Sequence, residues 1–152
     1  MIYFDNAATT GKKPENVIKA VNNAMITLSA NPGRSGHSLS SKAAEAVFSV
    51  REKIADFFEA DGPEQVCFTQ NCTHSLNCVI KGITSKGNRI LTSSLEHNAV
   101  MRPIKKTGLG YDNVLVDFSD DDVTLSRFES KIMPNTKLLI CTGASNVFGK
   151  TL

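Results

Sequence analysis

RILTSSLEHNAVMRPIKKTGLGYDNVLVDF, residues 89–118, decides the fold. It opens on a β-rich run (89–94) and passes through Glu96, His97 and Asn98 into a segment where Val100, Met101 and Ile104 share one helical face. At 114–118 it returns to a second β-rich run, VLVDF. Strand, helix and strand within about thirty residues is the spacing of a right-handed crossover between parallel strands. The pattern extends both ways. Upstream, VCFT (66–69) leads to a helix with Leu76, Val79, Ile80 and Ile83 on one face. Downstream, an acidic turn leads to Leu125, Phe128 and Ile132, and KLLICT (137–142) closes the series. Strands covered on both faces need near-continuous apolar runs, which KLLIC and VLV supply. The reading is an α/β fold: a mostly parallel sheet with helices on both faces.

Two helices precede this alternation. From Pro14, which suits a first helical turn, Val17, Val21, Ala24 and Leu28 recur at helical spacing to near Ser29. The segment 30–40, ANPGRSGHSLS, reads as an irregular loop with Ser38 or Ser40 as N-cap of a long helix marked by Ala43, Val47, Val50, Ile54 and Phe57. These helices are expected to form a unit that packs outside the sheet or against another subunit. The organisation is an N-terminal segment (1–13) followed by one large domain (14–152), helical over 14–58 and alternating over 65–152.

Of the 152 residues 41% are hydrophobic, and the net charge of +2 comes from 17 basic and 15 acidic residues mixed along the chain. No long-range positive field favours nucleic acid or an anionic membrane, so a small-molecule partner is expected. No basic leader and no bilayer-length apolar run are present, which suggests a cytoplasmic protein. The cysteines at 67, 72, 78 and 141 lack CxxC spacing and read as buried thiols in a reducing compartment.

In an open parallel sheet ligands bind beyond the carboxyl ends of the strands. Those positions carry TQNCTHS, SLEHN and TGASN, which offer a hydroxyl, an imidazole and a carboxamide to one rim. The amides of Thr73 and His74, with the Thr73 hydroxyl, could hold a phosphate at a helix start; simple capping by Asn71 or Thr73 is the alternative. His97 is either a satisfied polar residue at a helix start or a flat ring lying against a planar ligand with its N–H groups free to move a proton. Asn146 is either a turn asparagine or an amide donor to a phenolate or carboxylate. Cys72 and His74 do not share a face and make a poor metal pair. SDDD (119–122) lacks the glycine and final glutamate of a calcium loop, and GLG (108–110) is no dinucleotide fingerprint. Lys12 and Lys13 read as exposed loop charges.

Taken together, YFDNAATT, NPGRSGHSLS, FTQNCTHSLN, SSLEHNAVMRP and SNVFG, in this order, resemble the N-terminal part of the class V aminotransferase family, and within it the cysteine desulfurase group. The resemblance implies a fold type I large domain, pyridoxal 5′-phosphate (PLP) as cofactor, an amino acid substrate, a homodimer and a sulfur-acceptor protein. It implies that His97 stacks on the cofactor ring and assists proton transfers. Thr73, with the amides of Cys72 and Thr73, would bind the phosphate, and Asn146 would contact the ring's phenolic oxygen and the substrate carboxylate. Ala7 and Ala8 would fold over the substrate, and Arg34 and His37 would reach towards the partner subunit as substrate-binding residues. Relatives usually have a small or hydroxyl residue where Cys72 stands, and Cys72 does not match the sulfur-accepting nucleophile. That nucleophile, the lysine that holds the cofactor, the aspartate on the pyridinium nitrogen and the arginine for the substrate carboxylate all lie later in the family's sequence. Lys150 does not match that lysine. The chain therefore reads as the front part of an enzyme, cut or naturally truncated, that is inactive alone and prone to self-association. The whole enzyme would remove sulfur from L-cysteine; a selenocysteine lyase, an aminotransferase, an epimerase, or a non-catalytic anion-binding or dimerisation module are the alternatives.

Overall fold

The computed structural model describes residues 2–6, 8–34 and 36–152. It divides into two compact units, Met1–Phe68 and Thr69–Leu152. The boundary falls between the helical and the alternating parts of the sequence.

In the first unit, α1 spans Glu15–Thr27 and α2 spans Ser38–Phe57, followed by a single 3-10 turn at Pro63–Gln65. Pro14 precedes α1, and the chain leaves the helix at Leu28, whose N–H donates to the Ala24 carbonyl. The cap of α2 is neither serine expected from the sequence. The ring nitrogen Nδ1 of His37 accepts from the Ser40 amide at 3.2 Å. Ser40 lies buried inside the helix and donates its hydroxyl to the Asn31 carbonyl. An imidazole nitrogen can accept from the amide three residues on as a hydroxyl does, and with His37 in that role the helix begins at Ser38. Arg51 Nε donates to the Pro63 carbonyl at 2.8 Å and ties the 3-10 turn to α2. The apolar faces of both helices exist as read, but they stay largely open. Ala24 and Leu28 of the α1 end and Ala43, Val47 and Val50 of α2 line a groove of about 420 Å³, and Val17, Val21 and Met25 are exposed.

The second unit holds three parallel strands, β1 (Arg89–Ser93), β2 (Gly110–Val114) and β3 (Thr136–Ile140), in the order β2-β1-β3. Three helices accompany them: α3 (Cys72–Ile83), α4 (Asn98–Thr107) and α5 (Asp121–Glu129). Residues alternate across the sheet, so Ile90, Tyr111 and Leu138, which are register partners, share one face. There they meet Ile80 of α3 and Val100 and Ile104 of α4 in the core, where Ile80, Ile90 and Ile104 have no solvent exposure. The crossover β1-α4-β2 and the crossover β2-α5-β3 run in opposite directions along the sheet. Right-handed connections therefore put α4 and α5 on opposite faces. Leu91 and Val114, on the face away from α4, are fully buried, as is most of Phe128 from α5.

Three expectations need correction. VCFT is not a strand: residues 66–69 are extended at Val66 but pair with no described strand, because an extended run becomes a strand only where a neighbour offers its backbone. The run at 114–118 is displaced, since β2 takes GYDNV and ends at Val114, where its apolar residues begin. Gly108, with φ 71°, closes α4 and lets β2 start at once. The four cysteines are exposed, not buried. Cys67 sits on the unpaired extended segment, Cys72 in the first turn of α3, and Cys78 away from Ile80 on the same helix.

The acidic run is a helix cap. Asp120 Oδ1 accepts from the amides of Asp122 and Val123, and Asp117 Oδ1 accepts from those of Ser119 and Asp120. The Ser119 amide is the main reason the Asp117 carboxyl lies below its usual value of 3.8, with the Asp120 amide, Arg127 and Lys150 adding to it against partial burial. A lowered folded-state value stabilises above the unfolded value and is lost as pH falls through it towards the folded one. In acid titrations followed by circular dichroism, Asp117→Asn should remove part of the stability loss below about pH 4. Ile80→Ala or Ile104→Ala should cost about 2–4 kcal/mol in urea unfolding, because each opens a cavity in a closed core.

Candidate functional site

At the carboxyl end of the sheet, α3 and α4 begin side by side on one face. The side chain of Asn71 caps α3 by accepting from the His74 amide at 2.9 Å. Of the amides at this helix start, that of His74 is thus taken, and capping by Asn71 is realised. The amides of Cys72 and Thr73 and the Thr73 hydroxyl have no acceptor among the described residues. Their donors, with the positive end of the helix dipole, suit an anion.

His97 caps α4. Its Nδ1 accepts from the Ala99 amide at 3.0 Å, which leaves Nε2 as the nitrogen that carries the proton in the neutral ring. Thr73 and His97 line one cleft of about 320 Å³ together with Asn77, Lys81, Arg102 and Lys106. The three cations have no acidic partner within 4.0 Å among the described residues. No reading of the strand ends could find them, because they lie one and two turns down the helices; their signal is the i, i+4 series Thr73, Asn77, Lys81 and the pair Arg102, Lys106.

Asn146 is exposed in the turn after β3 and does not line that cleft. This turn is held by the Ser145 amide on the Lys150 carbonyl, by the Gly149 amide on the Ser145 carbonyl and by an antiparallel bridge between Ala144 and Thr151. Phe148 packs edge-on against Phe118, and Lys150 Nζ is paired to Asp121 Oδ1 at 2.7 Å, so the one lysine near the rim singled out from the sequence is engaged. Between the loops after β1 and β3 stands Glu96, also unforeseen. Its Oε1 accepts from Ser93 Oγ at 2.6 Å and from the Thr142 amide at 2.7 Å.

In the first unit His37 is the α2 cap, and Arg34 is exposed in the loop before it, its amide on the Asn31 carbonyl. Ala8 is exposed in a turn with its amide on the Asp5 carbonyl. Ala7 lies outside the described residues. No group of three metal-ligating side chains occurs among the described residues, and no described helix is long and apolar enough to cross a membrane.

The second unit is therefore a doubly wound parallel sheet with an anion-suited helix start and an imidazole at its carboxyl rim, the arrangement of a small-molecule site in an α/β enzyme. The chain belongs to the class-V aminotransferase family, whose pattern matches residues 2–152. It is 31% identical over 157 residues to a probable cysteine desulfurase of Synechocystis sp., covering 98% of this chain and 37% of that protein. The apo structure of a cysteine desulfurase from Thermococcus onnurineus NA1 superposes with a TM-score of 0.77 at 34% identity, over 95% of this chain and 37% of that one. A C-DES mutant with glycine covalently linked to its PLP cofactor shares the fold, with a TM-score of 0.74 at 20% identity, over 94% of this chain and 38% of that one. The chain spans a little over a third of the length of such relatives.

Although the residue is exposed overall, partial desolvation of its thiol first, and then the charge of Glu96, push Cys141 above its usual 9.0, against a hydrogen bond with Ser93 that lowers it. A raised thiol favours the fold while protonated, so this contribution is present below the unfolded value and is lost as pH rises through the folded one. Iodoacetamide at pH 8 should alkylate Cys72 and Cys78 several-fold faster than Cys141, read by peptide mass spectrometry, because only the thiolate reacts.

Proposed function

We propose that this chain supplies the phosphate- and ring-binding face of a PLP-dependent enzyme of the cysteine desulfurase kind, which in its whole form takes sulfur from L-cysteine as a homodimer and passes it to an acceptor protein in the cytoplasm. The observation that carries the reading is the cleft shared by Thr73 and His97 at two adjacent helix starts, with the Cys72 and Thr73 amides unclaimed. These donors fit a phosphate, and the exposed imidazole fits the flat face of a ring. Bound there, PLP supplies an electron sink for negative charge developing on the substrate.

The Thr73 hydroxyl and the two amides would hold the phosphate. His97, with its proton on Nε2, would hold and deliver a proton above the ring. Asn146 would donate its amide to the phenolic oxygen and the substrate carboxylate, with Ala7, Ala8, Arg34 and His37 as further substrate contacts. The match over 2–152 supports residues 14–152 as part of one cofactor-binding domain. The open apolar faces of α1 and α2 support a homodimer. Lys150 is engaged by Asp121, which supports a chain that does not turn over by itself. A second reading, an anion-binding module without catalysis, is favoured by Lys81, Arg102 and Lys106 in the same cleft, which have no acidic partner among the described residues.

Calorimetry with PLP and with inorganic phosphate separates the two. The enzyme reading expects PLP to bind about tenfold or more tightly than phosphate, Thr73→Val to weaken it by a similar factor, and borohydride to leave no single lysine pyridoxylated. Equal affinity for both ligands would leave only the anion module standing.

A further inference from the structure

Resting on that reading, we propose that Glu96 is the positioning residue of the rim: its carboxylate fastens the loop that carries Asn146 to the loop that carries His97. The β1–β3 ladder ends at the pair Thr92 and Ile140. Beyond it β1 turns away into α4, so the Thr142 amide has no strand carbonyl to meet. Glu96 Oε1 supplies that acceptor at 2.7 Å. The same oxygen is fixed from the β1 side by Ser93 Oγ at 2.6 Å, and Ser93, only 1% exposed, also accepts from the Leu95 amide at 3.3 Å.

Both arms then lead to the residues of interest. On one side the next residue is His97, locked by its own bond to the Ala99 amide. On the other, the Thr142 hydroxyl donates to the Ala144 carbonyl at 3.1 Å, and the buried Ser145 begins the turn that holds Asn146. Glu96 has no cation within 4.0 Å among the described residues, so its half-buried charge is answered by these two donors. The placement matters because the two loops leave from neighbouring strands, and only a cross-link at the strand ends keeps their side chains in register.

The amide oxygen of glutamine can accept the same two bonds, whereas alanine accepts neither. The test uses the 152-residue chain, isotopically labelled, as wild type, Glu96→Gln and Glu96→Ala. The alanine variant should speed hydrogen exchange at the Thr142 amide about tenfold or more and displace the His97 ring and Asn146 resonances, while the glutamine variant stays within about twofold of wild type. In PLP titrations the alanine variant should bind about tenfold more weakly and the glutamine variant near wild type. Unchanged Thr142 exchange and unmoved His97 and Asn146 resonances in Glu96→Ala, or equal damage by Glu96→Gln, would overturn the proposal. If Glu96→Ala does not fold, Ser93→Ala, which removes one of the two donors, should give the same resonance shifts at smaller amplitude, and no shift would again overturn it. A wild-type chain that ignores PLP would refute the proposed function alone, since the exchange and resonance measurements decide the fastening without any cofactor.

Discussion

A strand flanked on both sides by parallel neighbours forces its connections apart. β1 lies between β2 and β3, so the chain leaves it in one direction over one face and later returns past it over the other. At the point where the connections diverge, no helix covers the strand ends and the backbone donors of the helix starts are exposed. The crevice at this rim is thus a consequence of strand order and handedness before any side chain is considered. Thr73, Glu96 and His97 belong to loops and helix starts whose positions that order fixes.

The alternation over residues 72–140 was legible because periodicity reports burial, and the burial here is orderly: Ile80, Ile90, Val100 and Ile104 meet in one cluster. The two misplaced strands share one cause. VCFT has strand chemistry but no paired neighbour, and VLVDF has stronger β character than GYDNV yet lies past the ladder. Pairing is a relation between distant segments, and a local pattern cannot declare it. The polar residues followed a similar rule. Thr73 and His97 stand at helix starts, which a sequence marks locally, whereas Glu96 gains its meaning from the Thr142 amide, 46 residues away.

Charge in the second unit is divided between its faces. Between residues 72 and 109 the only acid is Glu96, while Lys81, Lys86, Arg89, Arg102, Lys105 and Lys106 are all cations, of which Arg89 is paired with Asp112. The loop and helix that follow β2 carry Asp117, Asp120, Asp121 and Asp122; of these Asp117 and Asp120 cap backbone amides, and Asp117 and Asp121 pair with Arg127 and Lys150. An anion arriving at the rim therefore meets the α3–α4 side as the attractive one, where the helix dipoles add to the side-chain charges. The small net charge of the whole chain conceals this, because a single sum does not record where along the fold the cations and acids gather.

Of the two readings of His97, the structural cap is the one the fold displays, and it is compatible with the chemical role proposed for the ring. By accepting from the Ala99 amide through Nδ1, the ring satisfies the first turn of α4 and fixes its own tautomer. The same bond engages Nδ1 and leaves Nε2 without a partner among the described residues, in a ring that lines the cleft. A serine or asparagine would cap equally well. It would not present a proton on a flat ring at the start of a helix whose neighbour, α3, begins with unclaimed amides. The cap explains why the side chain is held; the free nitrogen explains what holding an imidazole, in place of a simpler cap, makes available.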